Sequence, residues 1–190
     1  IDGLVVLCLN MRPESIHTLK QTGIPVCFVE SDVPDFDSVV VDNYRGGRIA
    51  AEFLYARGCK RPGFIGEASQ REYAIPATDL RLKGFRDFFS EHNINIDAKH
   101  VWLGEFVEDK VDDGIATILD ESVKPDGIFT SSDMIAIRLS RIAHQRGIRM
   151  PSEVAVVGFD DLDIADYVNL STVSQSLDES GKLAAEMVLD

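Results

Sequence analysis

The stretch that decides the fold begins with Lys124-Pro-Asp-Gly-Ile-Phe-Thr-Ser-Ser-Asp-Met-Ile-Ala136 and continues with Gly147-Ile-Arg-Met-Pro-Ser-Glu-Val-Ala-Val-Val-Gly-Phe-Asp-Asp161. Two short apolar runs each end in polar residues, and a helical segment separates them, which is the pattern of a β-α-β unit. Such a unit places Ser131-Ser132-Asp133 and Asp160-Asp161 at the same edge of a sheet. Ligands bind outside the carboxyl ends of the strands in open parallel sheets, so the pattern predicts a binding cleft.

The rest of the chain repeats this alternation of apolar strands and amphipathic helices. Strands are predicted at Leu4–Leu9, Pro25–Val29, Ser38–Val41, Gly63–Gly66, Val101–Leu103, Gly127–Thr130 and Val154–Phe159. Helices are predicted at Pro13–Thr22, at Asn43–Arg57, from Thr78 or Asp79, from Glu108, at Met134–Arg146 with Asp133 as its cap, and from Ser176 or Asp178. Continuously apolar strands are typical of parallel sheets buried between two helix layers, so the predicted fold class is α/β.

Composition and charge exclude several classes of protein. The 190 residues carry a formal net charge of −13, and so acidic a surface repels phosphate backbones, so DNA binding would need a separate basic module. No apolar run is long enough to span a bilayer, and no signal segment opens the chain, whose first residue is expected to be a cut inside a longer protein. Three cysteines without CxxC spacing argue against a disulfide framework or zinc site, and Cys8 and Cys27 are expected to be buried thiols.

Signatures of catalysis and metal binding are missing from the sequence. It contains no GxSxG, HExxH, Walker or GxGxxG motif, so no enzyme is predicted. The four histidines are expected to lie on the solvated surface: His17, His92, His100 and His144. The acidic cluster from Asp160 to Asp166 lacks the loop glycine and terminal glutamate of an EF-hand, so no metal is predicted. For Gly46-Gly47, close packing is favoured over phosphate binding.

A few side chains are candidates for contacting a ligand. Asp160 can accept hydroxyl hydrogen bonds, or it can be a turn residue or cap a helix. Arg81, early in a helix, can donate bidentately into a cleft, or it can be a solvated surface residue. Phe106 can stack on a sugar or base, or fill the core, and Ser132 can face the cleft, or cap a helix as Asp133 can. Together these residue types suit a polyhydroxylated or amide-bearing small ligand.

Several motifs also occur in the order and at the distances of a known family. They are Val41-Asp-Asn-Tyr-Arg-Gly-Gly-Arg48, Arg61-Pro-Gly-Phe-Ile-Gly66, Arg81-Leu-Lys-Gly-Phe85, Gly104-Glu-Phe106, Pro125–Asp133, Gly147-Ile-Arg-Met-Pro151 and Val156-Val-Gly-Phe-Asp-Asp161. Over nearly its whole length the chain resembles the effector-binding domain of the lactose-repressor (LacI/GalR) family of bacterial transcription regulators.

This resemblance implies two Rossmann-like lobes of the periplasmic-binding-protein-like type I fold. The first lobe would hold residues 1–41 and 174–190 and would be incomplete here, and the second would hold residues 42–173. The family's DNA-binding helix-turn-helix would precede the chain and is absent from it. The family's effector residues carry over to Arg81, Asp160, Phe106 and Gln175, and Ser132 stands where the family often has Asn.

The implied function is that of a cytoplasmic regulator, with no cofactor, membrane or catalytic step. A small effector, expected to be a sugar or sugar derivative, binds between the lobes and changes the affinity of the missing domain for operator DNA. The protein is expected to be a homodimer, and helix Met134–Arg146 is a candidate part of the dimer face through Ile135, Leu139 and Ile142, with core packing as the alternative. The competing hypothesis is an exported sugar- or solute-binding protein that serves a transporter.

Overall fold

The computed structural model of the chain describes residues 2–7, 11–68, 76–105 and 107–189. Eight strands were found in these ranges: β1 Leu4–Leu7, β2 Val26–Val29, β3 Asp37–Val39, β4 Pro62–Glu67, β5 Val101–Gly104, β6 Gly127–Thr130, β7 Ala155–Asp160 and β8 Ser171–Ser174. The α-helices in the same ranges are α1 Pro13–Thr22, α2 Asn43–Ala56, α3 Ala77–Glu91, α4 Glu108–Leu119, α5 Asp133–Gln145, α6 Asp163–Tyr167 and α7 Leu177–Leu189.

The chain divides into two compact units. The first contains Ile1–Asp42, Ser69–Pro76 and Ser176–Asp190, and the second contains Asn43–Ala68 and Ala77–Gln175. In the first unit, β1, β2 and β3 form a parallel sheet in that order. Every side chain of β2 is buried, because this central strand is covered on both of its faces.

The second unit is built on a five-stranded parallel sheet with the order β5-β4-β6-β7-β8. One face of the sheet packs Ile65 and Ile128 against aliphatic residues of α4 and α5. The other face carries Phe64 and Phe129, whose rings lie against Phe85 of α3. Successive side chains of a strand point to opposite faces. Each of the pairs Phe64-Ile65 and Ile128-Phe129 therefore contributes one side chain to the core on each face of the sheet. The predicted α/β class, with parallel sheets between helices, is confirmed.

Helices α2 and α3 of this unit cross with their backbones in direct contact. A Cβ atom on Gly47 would overlap the Arg81 carbonyl, and one on Gly84 would overlap the Tyr44 carbonyl. A Cβ on Gly46 would strike the ring of Phe159. The interpretation of Gly46-Gly47 as a packing contact is therefore confirmed.

Two sequence-based interpretations were wrong. His100 is only 5% exposed, and its Nε2 lies 2.8 Å from the Val123 carbonyl oxygen, so this histidine is not on the solvated surface. Ile135, Leu139 and Ile142 of α5 are buried in the aliphatic core. These three side chains face the sheet and α4, so they cannot form a dimer face.

Cys27 is buried, as predicted, and Cys8 lies outside the described residues. Cys27 and Cys59 are free thiols. Among the described residues, no helix combines the length and the apolar character needed to cross a bilayer, and no His, Cys, Asp and Glu side chains group in a way that suits a metal ion.

Candidate ligand-binding site

Polar side chains converge at the carboxyl edge of the five-stranded sheet in the second unit. Ser131 directly follows β6, Asp160 is the last residue of β7, and Gln175 directly follows β8. Arg81 reaches the same edge from the second turn of α3. The edge predicted from the Lys124–Asp161 stretch is therefore the place where the side chains of Arg81, Asp160 and Gln175 meet the backbone of Ser131.

Arg81 is held on several sides. It is 7% exposed, its Nε donates to Asn43 Oδ1 at 2.8 Å, and its Nη1 donates to the Ser131 carbonyl oxygen at 2.6 Å. The guanidinium carbon lies 3.5 Å from the centre of the Phe159 ring, in a cation–π contact. The alternative of a solvated surface arginine was wrong, because the guanidinium is bound inside the unit.

Asp160 contacts two other members of the predicted site. Its Oδ1 accepts a hydrogen bond from Gln175 Nε2 at 2.8 Å and lies 3.9 Å from Arg81 Nη1. Asp160 does not cap the helix that follows, because Leu162 occupies the N-cap position of α6. The structure thus brings Arg81, Asp160 and Gln175 together, although they are far apart in the sequence.

The backbone around Asp160 is unusual. Asp160 has a φ of 116° and Asp161 a φ of 63°, so two consecutive residues with side chains occupy the region that favours glycine. Aspartate tolerates positive φ better than most residues, but each strained residue costs on the order of 1–3 kcal/mol. The carboxylate that faces Gln175 is therefore presented by a strained turn.

Ser132 and Asp133 have different roles. Ser132 is the N-cap of α5, and its Oγ accepts from the Ile135 amide at 3.4 Å. The prediction that Asp133 is the cap was wrong, because its fully buried carboxylate accepts from the Leu162 amide at 2.9 Å and from Thr172 Oγ1 at 2.6 Å. Burial raises the pKa of Asp133, although hydrogen bonds from Thr172 and from the Leu162 and Asp161 amides act in the opposite direction.

The contacts that two residues make with Arg81 were missed by the sequence analysis, and one candidate was not tested. Asn43 was predicted only as the start of a helix, and Ser131 only as a polar residue at the sheet edge, yet Asn43 Oδ1 and the Ser131 carbonyl oxygen both accept hydrogen bonds from Arg81. Asn43 lies within the quoted motif Val41–Arg48, but no local signal links that motif to Arg81. Phe106 lies outside the described residues, so its stacking role stays a prediction.

A separate groove of about 680 Å³ lies at the opposite, amino edge of the same sheet. Its two arginines are engaged by carboxylates: Arg146 Nε lies 3.1 Å from Asp120 Oδ1, and Arg61 Nη2 lies 3.4 Å from Asp126 Oδ2. The carboxyl edge is the better candidate for a ligand site, because buried and convergent polar groups meet there.

The comparisons with known proteins agree with this architecture. The family model described as the periplasmic binding protein-like domain matches residues 51–190. The chain belongs to this family. A curated relative is the HTH-type transcriptional repressor PurR of Klebsiella pneumoniae, which is 28% identical over 100% of this chain and 56% of its own length. The chain spans a little over half the length of the curated relatives it matches.

Solved structures point to the same group of proteins. A regulatory protein of the LacI family from Chloroflexus aggregans superimposes with a TM-score of 0.85 at 26% identity, over 100% of this chain and 68% of that chain. A complex of the transcriptional regulator CelR with cellobiose has a TM-score of 0.83 at 26% identity, over 100% of this chain and 59% of that one. The resemblance to LacI-family effector-binding domains is thereby confirmed, and these relatives favour a regulator over an exported solute-binding protein.

Proposed function

We propose that this chain senses a polyhydroxylated small molecule, of the sugar class, for a bacterial transcription regulator of the LacI type. The observation that carries the proposal is the convergence of Arg81, Asp160 and Gln175 at the carboxyl edge of the sheet. The convergence combines a guanidinium, a carboxylate and an amide, and it lies where ligands bind in open α/β folds.

The chemistry of these groups suits a sugar better than an apolar ligand. The Asp160 carboxylate can accept hydrogen bonds from two neighbouring hydroxyls, and Arg81 and Gln175 donate to hydroxyl oxygens. Hydrogen bonds to ionised groups are about twice as strong as neutral ones, so hydroxyl-rich ligands gain most from this arrangement. The CelR–cellobiose complex gives independent support, because it is a related regulator with a sugar bound.

The proposed mechanism is conformational linkage without a catalytic step. The two units correspond to two lobes, and an effector that binds one lobe arrangement more tightly than another shifts the population toward it. The shift changes operator affinity through a DNA-binding module outside this chain, because a surface with net charge −13 does not attract DNA. The regulator is proposed to act in the cytoplasm, where its operator lies.

The proposed regulator is a homodimer. Helix α6 supports this part of the proposal, because its residues Ile164 and Tyr167 and the adjoining Val168 are exposed, with Tyr167 84% accessible. Exposed apolar groups that adjoin one another mark surfaces that proteins cover by association. A dimer also gives the family mechanism two DNA-reading heads whose spacing an effector can change.

Thermal unfolding in the presence of candidate effectors tests the ligand proposal. The panel contains D-ribose, D-glucose, D-galactose, sucrose, cellobiose, sugar phosphates and purine bases. A compound at a hundred times its dissociation constant is expected to add about 2.7 kcal/mol to the free energy of unfolding. A sugar in the panel is expected to give this stabilisation, and isothermal titration then gives its Kd.

Conservative variants assign the binding to the proposed residues. Asp160→Asn and Arg81→Lys are each expected to raise the Kd about tenfold or more, because each loses a hydrogen bond to an ionised group. Asp163→Asn and Arg86→Lys are matched controls, since both residues are exposed: Asp163 lies three residues beyond Asp160, at the start of α6, and Arg86 lies in α3 with Arg81. Binding that all four variants leave unchanged would show that the site lies elsewhere, and stabilisation by a purine base alone would contradict the sugar assignment.

A further inference from the structure

We infer that Asp133 is a positioning residue for the ligand site, because it holds the strained Asp160–Asp161 turn that presents the Asp160 carboxylate. The inference rests on the proposed function for the role of Asp160 in binding. Asp133 itself does not contact the ligand: it lies behind the turn, completely buried at the first residue of α5. Its effect on binding is exerted through the backbone of residues 160–162.

The hydrogen bonds of Asp133 tie three segments together. Its Oδ2 accepts from the Leu162 amide at 2.9 Å, just beyond the turn, and its Oδ1 accepts from Thr172 Oγ1 of β8 at 2.6 Å. The Thr172 hydroxyl also accepts from the Asp161 amide at 3.3 Å. The start of α5, the turn after β7 and strand β8 are therefore joined through one carboxylate and one hydroxyl.

Next to the Asp133 carboxylate, one position of strand β7 has room only for glycine. A Cβ atom on Gly158 of β7 would overlap Asp133 Oδ1. Strand β7 therefore has no side chain at Gly158, an interior position of the sheet where glycine normally weakens a strand. The Asp133 carboxylate occupies the space. This arrangement explains why Asp133 does not cap α5 although aspartate is a favoured capping residue.

The turn needs such an external tie because its backbone conformation is unfavourable. Asp160 and Asp161 both have positive φ, and strained residues persist only where surrounding contacts determine their conformation. Without the tie, the turn can relax toward negative φ, which redirects the Asp160 side chain away from Gln175. Loss of the tie therefore reduces affinity without removing any group that touches the ligand.

Asp133→Asn tests the inference with little change in volume. Its amide N–H₂ group cannot accept a hydrogen bond, so either the Leu162 amide or the Thr172 hydroxyl loses its acceptor. We expect the Leu162 amide or the Asp161 amide, which donates to Thr172, to exchange with solvent hydrogen about tenfold faster or more, while the core amide of Phe129 keeps its rate. Unchanged exchange at both Leu162 and Asp161, or an equal increase at Phe129, would overturn the inference.

A double-mutant cycle measures how Asp133 affects ligand affinity. It uses the tightest-binding sugar of the thermal-unfolding panel. Asp133→Asn is expected to raise the Kd about tenfold in the wild-type background and to have little effect in Asp160→Asn, because the two residues act on one interaction. Additive effects would show that Asp133 acts independently of Asp160. If no panel compound binds the wild type, the sugar proposal fails, and hydrogen exchange still decides the role of Asp133.

Two further variants separate positioning from general stability. Asp126→Asn alters a second carboxylate that accepts hydrogen bonds from backbone amides, one that is only partly buried and lies at the opposite edge of the sheet. It is expected to lower stability but to leave the Kd of the folded protein unchanged. Thr172→Val removes the bridging hydroxyl while Asp133 keeps its carboxyl group, and we expect a smaller change in the same direction as Asp133→Asn. An Asp126→Asn variant with an equally raised Kd would contradict the inference.

Discussion

At the scale of single residues, Asp133 and Asp126 show how differently one sheet uses its buried aspartates. Asp133, at the carboxyl edge, is completely buried and its pKa is raised by that burial. Asp126, at the amino edge, is partly buried, and burial alone would raise its pKa. Hydrogen bonds from Cys59 Sγ and from the Arg61 and Lys60 amides nevertheless lower it. Ionisation of Asp133 therefore lowers the free energy of unfolding, whereas ionisation of Asp126 raises it.

This difference predicts a pH dependence for Asp126. The Asp126 carboxylate accepts from Cys59 Sγ at 2.8 Å and from the Arg61 amide at 2.8 Å. Because its folded-state pKa is lowered, its contribution is present above the ordinary value of about 4 and is lost as the pH falls through the folded pKa. Asp126→Asn should therefore lower the free energy of unfolding by about 2 kcal/mol at pH 7. Urea denaturation at several pH values should show the gap to wild type narrowing as the pH falls below about 4, and a gap that does not change with pH would contradict this account.

Residue roles were predictable where the signal is local. Asp160 ends an apolar strand, and that position alone indicated the sheet edge that it occupies. The buried state of His100 was not predictable, because its acceptor is the Val123 carbonyl, distant in the sequence. Ser132 and Asp133 are both good capping residues, and only the nonlocal partners Leu162 and Thr172 determine which one caps α5.

At the scale of elements, the crossing of α2 and α3 sets the geometry of the arginine site. Gly47 lies against the Arg81 carbonyl and Gly84 against the Tyr44 carbonyl, so the two helix backbones touch near Asn43 and Arg81. This close approach allows Asn43 Oδ1 to accept from Arg81 Nε at 2.8 Å. The glycines therefore position residues of the candidate ligand site as well as the core.

Gly47→Ala is expected to force the two helices apart. The overlapping atom is a backbone carbonyl that cannot move without its helix, so overpacking should cost about 1–3 kcal/mol in the free energy of unfolding. Gly181→Ala in α7 is the matched control, because its added Cβ would meet no described atom within 4 Å beyond its own stretch of helix. It should gain about 0.5–1 kcal/mol from helix propensity. Chemical denaturation measures both changes, and equal gains for the two variants would refute the tight crossing.

The elements themselves were largely predictable, with two informative exceptions. Continuous apolar runs indicated the buried strands because a parallel sheet covered on both faces needs them. Strand β8 was missed because Ser171–Ser174 is a short and largely polar strand at the edge of the sheet. Helix α6 was missed because its five residues are too short to show a periodic pattern. Both lie beside Asp160, so the least predictable elements are those that frame the site.

At the scale of the whole molecule, charge and apolar surface suggest different kinds of partner. The net charge of −13 works against direct contact with DNA. In contrast, Ile164, Tyr167 and the adjoining Val168 are exposed apolar residues in and beside α6, next to the exposed carboxylates of Asp163 and Asp166. The molecule therefore suits a protein partner and a small ligand, in line with the proposed dimeric regulator.

The dimer proposal predicts that acidic substitutions on α6 shift the protein toward monomer. Tyr167→Asp places a charge on the most exposed apolar residue of the helix, and burying an unpaired carboxylate in an interface costs several kcal/mol, or about a thousandfold or more in the dimer dissociation constant. Val123→Asp is the control, since Val123 is also an exposed apolar residue, 61% accessible, but lies at the amino edge of the sheet. Sedimentation velocity at micromolar concentration should show a dimer for wild type and Val123→Asp and a monomer for Tyr167→Asp. A monomeric wild type would refute the dimer, and a dimeric Tyr167→Asp would exclude α6 from its interface.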